Sequence, residues 1–220
     1  MGGVSAYVGE GMGESRISLN LIYFKAVPHT TAPTVVPPRS RAEIIAQFKE
    51  LHQQSLRYWE AFDTTTFVTP FGVAWSPADH VRHLSKAMRA LTRGLSLARF
   101  KLLIRFGWAF RPSRTYDQMR DTYLAVLPGF TGRNPFAPKP VDSIGDPEAY
   151  RDSVMLEYDA ALQNLVTAIE RWSERSLDRY RMPHLVMGKL TVREMLVFVL
   201  YHNLHHMHVV ARRSPELPAD

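Results

Sequence analysis

The chain has no cysteine among its 220 residues. Disulfides, thiolate-held metals, iron–sulfur clusters and cysteine nucleophiles are therefore excluded, and any metal must sit on histidine and oxygen ligands. A run of 18 apolar residues is also missing, so no segment reads as a transmembrane helix. The stretch 102–110 is too short for one and is interrupted by Arg105. Acidic residues are absent from His80 to Tyr116, where nine Lys and Arg occur and contribute much of the net charge of +6. A basic stretch of this kind raises nucleic acid or anionic lipid as partners. Arg82, Lys86, Arg89 and Arg93 nevertheless recur at helical steps opposite an apolar stripe, the pattern of a solvated helix face. Neither nucleic acid nor membrane is the expected partner. The N-terminus carries Glu10 and Glu14 and no basic start before an apolar run, so it does not read as a signal peptide. A cytoplasmic location is expected.

Apolar residues make up 45% of the chain and charged residues 22%, ordinary for a globular domain. The length fits one domain with a core of its own. Residues 1–39 are Gly-rich and then Pro-rich and read as a flexible arm; 40–213 carry the helical patterns; 214–220 form a tail. A first helix starts at Ser40 with Glu43 as a capping box and runs to about Phe62. A second starts at Ser76, with Pro77 in its first turn, and continues to at least Phe100. A shorter helix spans Tyr116 to Leu127. The segment Leu127–Pro147, with five prolines and three glycines, is a long loop of the kind that is often functional. A third long helix covers Pro147–Trp172. The last begins at Thr191, with Glu194 closing a second capping box, and runs to about Arg213. No strand pattern of comparable quality occurs. Four long helices with long connections, and one extra short helix between the second and third, give an all-α four-helix bundle.

Four of the nine histidines, His202, His205, His206 and His208, fall within seven residues of the last helix. Imidazole is a common ligand for zinc, nickel and iron, and two histidines four apart on a helix can share one ion. At ~100° per residue, Met195, Val199, His206 and Val209 all lie within about 60° of His202, so His202 and His206 continue the apolar stripe. His205 sits ~60° to one side and His208 ~120° away, as flank or surface residues. Two imidazoles in a core stripe need partners, because an unsatisfied buried polar group costs ~1–3 kcal/mol. One ion would serve both; a carbonyl or carboxylate for each is the plainer alternative. The second helix offers His80, nearer the middle of the stripe formed by Leu84, Ala87, Leu91, Leu95 and Ala98, and His83 at its edge. Periodicity does not choose between them. Asp79 reads as first-turn charge.

Three segments together resemble the DinB/YfiT-like superfamily of four-helix-bundle metalloenzymes. They are Trp75-Ser-Pro-Ala-Asp-His-Val-Arg-His-Leu84, Pro183-His-Leu-Val-Met-Gly-Lys-Leu-Thr-Val-Arg-Glu194 and His202-Asn-Leu-His-His206, in an order that spans residues 40–213. The resemblance implies a metal held by one histidine of the second helix and an H-x3-H pair of the last. Matched residue by residue, these are His83, His202 and His206, with His80 beside them in a supporting place. It further implies a divalent ion (zinc, nickel or iron) with an open coordination position, and a small-molecule substrate. The reaction implied is thiol S-transfer from a low-molecular-weight thiol, or hydrolysis. The alternative is a stress-response module that binds metal or ligand without turnover. The pattern supplies no carboxylate base, and Glu194 reads as a helix cap. The apolar residues of 102–110 are candidates for a homodimer surface or for a cover over the bundle.

Overall fold

A computed structural model describes residues 33–141 and 143–213. Most of the N-terminal arm and the C-terminal tail fall outside the described residues. Residues 33–39 run as extended chain toward α1, with Val36 N–H donating to Gln47 Oε1 at 3.0 Å and the Arg39 carbonyl accepting from Arg193.

Four long helices form the frame: α1 (Arg41–Glu60), α3 (Pro77–Leu95), α6 (Pro147–Glu170) and α8 (Val192–Ala211). Short helices α2 (Thr64–Val68), α4 (Arg99–Phe106), α5 (Tyr116–Val126) and α7 (Glu174–Arg179) pack around it. In cross-section α6 lies between α1 and α3, and α8 closes the ring on both. The capping boxes at Ser40/Glu43 and Thr191/Glu194 are both formed, and Ser76 caps α3 with Asp79 as its partner. Asp79 also pairs with Arg82, so it acts at the helix start and not among the histidines.

The second helix is shorter than its periodicity suggests. It stops at Leu95, and α4 turns away from it at Arg99. In an unbroken helix the Leu95 carbonyl would accept from the amide of Arg99; here it accepts from the Trp172 indole at 3.1 Å. Arg99 in turn lies over the Trp172 ring and donates to the Arg171 carbonyl. This tertiary contact has no local signature. It turns Leu102 into the core while Phe100 and Ile104 stay exposed. Of the apolar run 102–110, Leu102 and Phe106 thus serve as a local cover, whereas Phe110 faces out.

A two-stranded hairpin, β1 (Arg181–His184) with β2 (Gly188–Thr191), precedes α8, where periodicity gives no strand. Each strand has four residues, too few for an alternating pattern. Gly188 sits at φ 74°, a conformation open to glycine at little cost. The His184 ring closes the turn by accepting from the amides of Val186 and Met187. Two further short helices, α2 and α7, were equally invisible to periodicity; each starts on a side-chain cap, Asp63 and Ser173.

The basic stripe of α3 is only partly solvated. Arg82 pairs with Asp79, Arg89 with Glu157 of α6, and Lys86 donates to the Ala137 carbonyl. Further along the chain Arg111 and Arg114 converge on Glu194. Charges that look like a solvated face therefore hold loops and helices together.

α8 is buried on most sides, as expected of a helix that is apolar nearly all round. Its start is anchored by Glu194, whose carboxylate is fully buried and accepts from Arg111, Arg114 and the Thr191 amide. Burial by itself would raise its pKa, but these donors outweigh it and bring the group from 4.5 down to about 2. A carboxyl whose folded pKa is depressed stabilises the fold fully above its unfolded pKa and loses that contribution as pH falls through the folded one. Glu194→Ala is expected to cost about 3 kcal/mol or more, as removal of one partner of a buried pair does. The wild-type advantage over the variant should shrink between pH 4.5 and 2, read from urea melts at a series of pH values.

Candidate metal centre

Polar contacts to neighbouring elements fix which way α8 faces. Asn203 accepts from the Tyr158 hydroxyl of α6 at 2.9 Å while donating to the Val199 carbonyl, and Tyr58 of α1 donates to the Met207 carbonyl. With Asn203 held toward α6, His202 and His206 turn toward α3. The N-terminal half of α3 meets them with His80 and His83. All four are buried, at 3% (His80), 5% (His83), 6% (His202) and 8% (His206) exposure.

One nitrogen each of His83, His202 and His206 lies within 4.8 Å of the other two. His83 Nε2 is 3.3 Å from His202 Nε2, which is 3.0 Å from His206 Nε2. On its other side His83 Nδ1 is 3.0 Å from the Phe136 carbonyl. A carbonyl only accepts, so Nδ1 carries the proton and Nε2 of the neutral ring presents a lone pair to the cluster. His206 Nδ1 meets His80 Nδ1 at 2.7 Å. Periodicity left His80 and His83 open as partners of the pair and the family resemblance favoured His83; the geometry puts His83 in the three-nitrogen group and His80 behind His206.

The long loop 127–147 gains a role from this contact. Its Phe136 carbonyl fixes the orientation of His83, the neighbouring Ala137 carbonyl is held by Lys86, and Asn134 Oδ1 receives the Phe136 amide. Trp75, just before α3, packs against His80 and His83 and stacks on His206 at 6.2 Å with the planes 9° apart. Phe198 stacks on His202 at 5.0 Å. Aromatic walls thus surround the rings and exclude water from most of their surface.

Protein groups alone do not satisfy this cluster. His202 Nε2 faces two nitrogens, and one N–H donates well along only one line. His202 Nδ1 and His80 Nε2 have no hydrogen-bond partner among the described residues. A cation among the three nitrogens would remove the conflict at His202 Nε2. Tetrahedral zinc–imidazole bonds of ~2.1 Å set ligand nitrogens roughly 3.4 Å apart, close to the 3.0 and 3.3 Å seen. By donor chemistry and spacing, these residues fit a divalent ion.

His205, on the flank of the stripe, lines a cavity that opens beside the three histidines; His208 is exposed. His184 from the hairpin lines the same cavity, a place its position in a connector did not reveal.

A family model, the DinB superfamily, matches residues 47–210. The chain belongs to the DinB superfamily. Among solved structures, that of TT2238, a four-helix bundle protein, is similar with a TM-score of 0.48 and 15% identity, over 79% of this chain and 99% of that one. Comparison with curated proteins gives no match. No helix among the described residues is long and apolar enough to cross a membrane.

Burial, followed by the charges of Arg213, His83 and His205, pushes His80 from 6.5 down to about 3, and burial likewise lowers His83, His202 and His206. These groups are neutral in the folded chain but protonate near 6.5 once unfolded. The unfolded state therefore takes up more protons below that pH, and stability falls with pH from 6.5 downward. In chelator-treated protein the loss from His80 alone amounts to about 2 kcal/mol at pH 5. Thermal melts between pH 7 and 4 should show a steep decline, and His80→Phe should flatten it.

Proposed function

We propose that His83, His202 and His206 hold one divalent metal ion, and that the protein is a metal-dependent enzyme acting on a small molecule by thiol S-transfer or hydrolysis. The observation that carries this reading is the convergence of three buried Nε2 atoms, one of them fixed as a lone pair by the Phe136 carbonyl. Zinc, nickel and iron all suit an imidazole set. When bound by three histidines such an ion keeps a coordination position open and lowers the pKa of a water or thiol that takes it.

The chain's own groups prepare that position. With Nε2 of His206 given to the ion, its Nδ1 carries the proton and donates to His80 Nδ1, which makes His80 the residue that sets the tautomer and angle of His206. Trp75 and Phe198 keep the rings dry and in place. Since the chain has no cysteine, an attacking thiolate must come from a small-molecule thiol. No Asp or Glu lines the cavity among the described residues, and His184 already accepts two backbone amides at Nδ1, so His205 is the lining group that takes up a proton released during reaction. The missing carboxylate also favours a second reading, a module that holds metal and ligand without turnover.

Metal analysis should find one equivalent of divalent ion per chain in the purified protein, and none in a His202→Ala/His206→Ala double variant. His80→Phe should retain the site with about 10- to 100-fold weaker affinity. Absence of stoichiometric metal from the wild type refutes the reading. Incubation with small thiols and model electrophiles, or with model esters and amides, separates its two forms. Turnover abolished by chelator marks the enzyme, and bound metal without turnover marks the module.

A further inference from the structure

The cavity beside the histidines has a volume of about 620 Å³, the size of a small-molecule site. Its direction follows from the helix pairing. His80 faces His206 and His83 faces His202, so α3 and α8 run antiparallel here. Two turns further along α3, Leu91 comes level with Met195 of α8, and both line the cavity. From His83 to Gly94, which also lines it, α3 rises by about 16 Å. The break after Leu95 lets Leu102 and Phe106 of α4 close the far part, while Met182 and Val186 of the hairpin and Phe130 of the long loop supply a side wall.

Polarity along this length is lopsided. The three clustered histidines and His205 stand at one end. Among the described residues the remainder is walled mainly by aliphatic and aromatic side chains, with His184 on the hairpin wall beside Phe198 and Asn134 on the loop wall. Arg93, exposed in the structure, is the one Lys or Arg side chain in the described lining, and Asp and Glu are absent from it. A ligand with several carboxylates or phosphates would lose its hydration here and find no set of charges to replace it. An apolar body loses nothing of that kind and gains roughly 25 cal/mol for each Å² it hides from water.

We infer that the substrate bound in this cavity is an elongated, uncharged and largely apolar molecule with one polar group, which it presents to the histidine end. This inference names the substrate class for the site proposed above and rests on that reading for the role of the polar group. The body of the cavity is defined by α3, α4, α8, the hairpin and Phe130 independently of any metal.

The test uses the full chain and the neutral dye Nile red, with 1-decanol and decanoate as competitors in chelator-treated protein. Saturable binding of one dye per chain is expected, with 1-decanol displacing it at a concentration at least tenfold lower than decanoate. Ala90→Trp, which places an indole inside the cavity wall, should weaken dye binding at least tenfold. Val186→Asp, which puts a charge on the hairpin wall, should do the same, and circular dichroism checks that each variant is folded. No saturable dye binding, equal displacement by decanoate, or undiminished binding in folded variants overturns the inference. Metal analysis of the same wild-type protein separates it from the metal reading. Saturable dye binding in a wild type that holds no stoichiometric metal supports the cavity assignment while the metal reading falls. Stoichiometric metal in a wild type that binds no dye leaves the metal reading standing and removes this one.

Discussion

How α8 is turned about its own axis governs the rest of the structure. The helix is buried on most of its circumference, so hydrophobic burial fixes its depth but says little about its rotation. Rotation is set by groups that demand particular partners. Asn203 must find the Tyr158 hydroxyl, and Glu194 at the other end must meet Arg111 and Arg114. Either pair would be costly to break, since a buried amide or carboxylate stripped of its partner keeps the full desolvation penalty. With both satisfied, His202 and His206 have one direction left, toward α3.

Around that orientation the site is assembled from parts far apart in sequence, each governed by hydrogen-bond direction. His83 receives its tautomer from a backbone carbonyl in the long loop, and His206 faces the ring nitrogen of His80. Among the described residues the loop's hydrogen bond to the histidines runs through the Phe136 oxygen. That oxygen is positioned in turn by the Asn134 turn and by Lys86 on the adjacent carbonyl. A loop rich in proline suits this task, because fixed φ angles reduce the entropy lost on holding a carbonyl in one place.

Much of this frame was legible in sequence where the signal is local. The caps at Ser40, Ser76 and Thr191 marked three long-helix starts, and the 3.6-residue pattern marked the four long helices. Signals were absent where tertiary partners decide. Nothing near Leu95 announces that Trp172 will take its carbonyl, so the second helix read as too long. The hairpin was hidden for a similar reason: four-residue strands, one with a proline, owe their order to α8 and α4 packed over them. At the site, periodicity found His202 and His206 but could not separate His80 from His83, because both are buried. The resemblance of the Trp75–Leu84 segment favoured His83, and the structure brings that residue into the three-nitrogen group. His205 lies on the flank of the stripe, as its angle implies, and the cavity admits it there.

The cavity itself explains why the histidine cluster joins α3 to α8 in particular. α3 packs closely along α6, while its contact with α8 is slighter and leaves open space between them. A gap lined by apolar side chains weakens the bundle on that side, since each wall forgoes the packing a filled core would give. In the proposed reading, an ion shared by His83, His202 and His206 ties the two helices together at one end of the gap. Binding to the folded chain alone adds stability in proportion to the logarithm of ion concentration, about 4 kcal/mol at a thousandfold excess over Kd. The same tie can therefore hold open a space for an apolar ligand and offset the packing which that space forgoes.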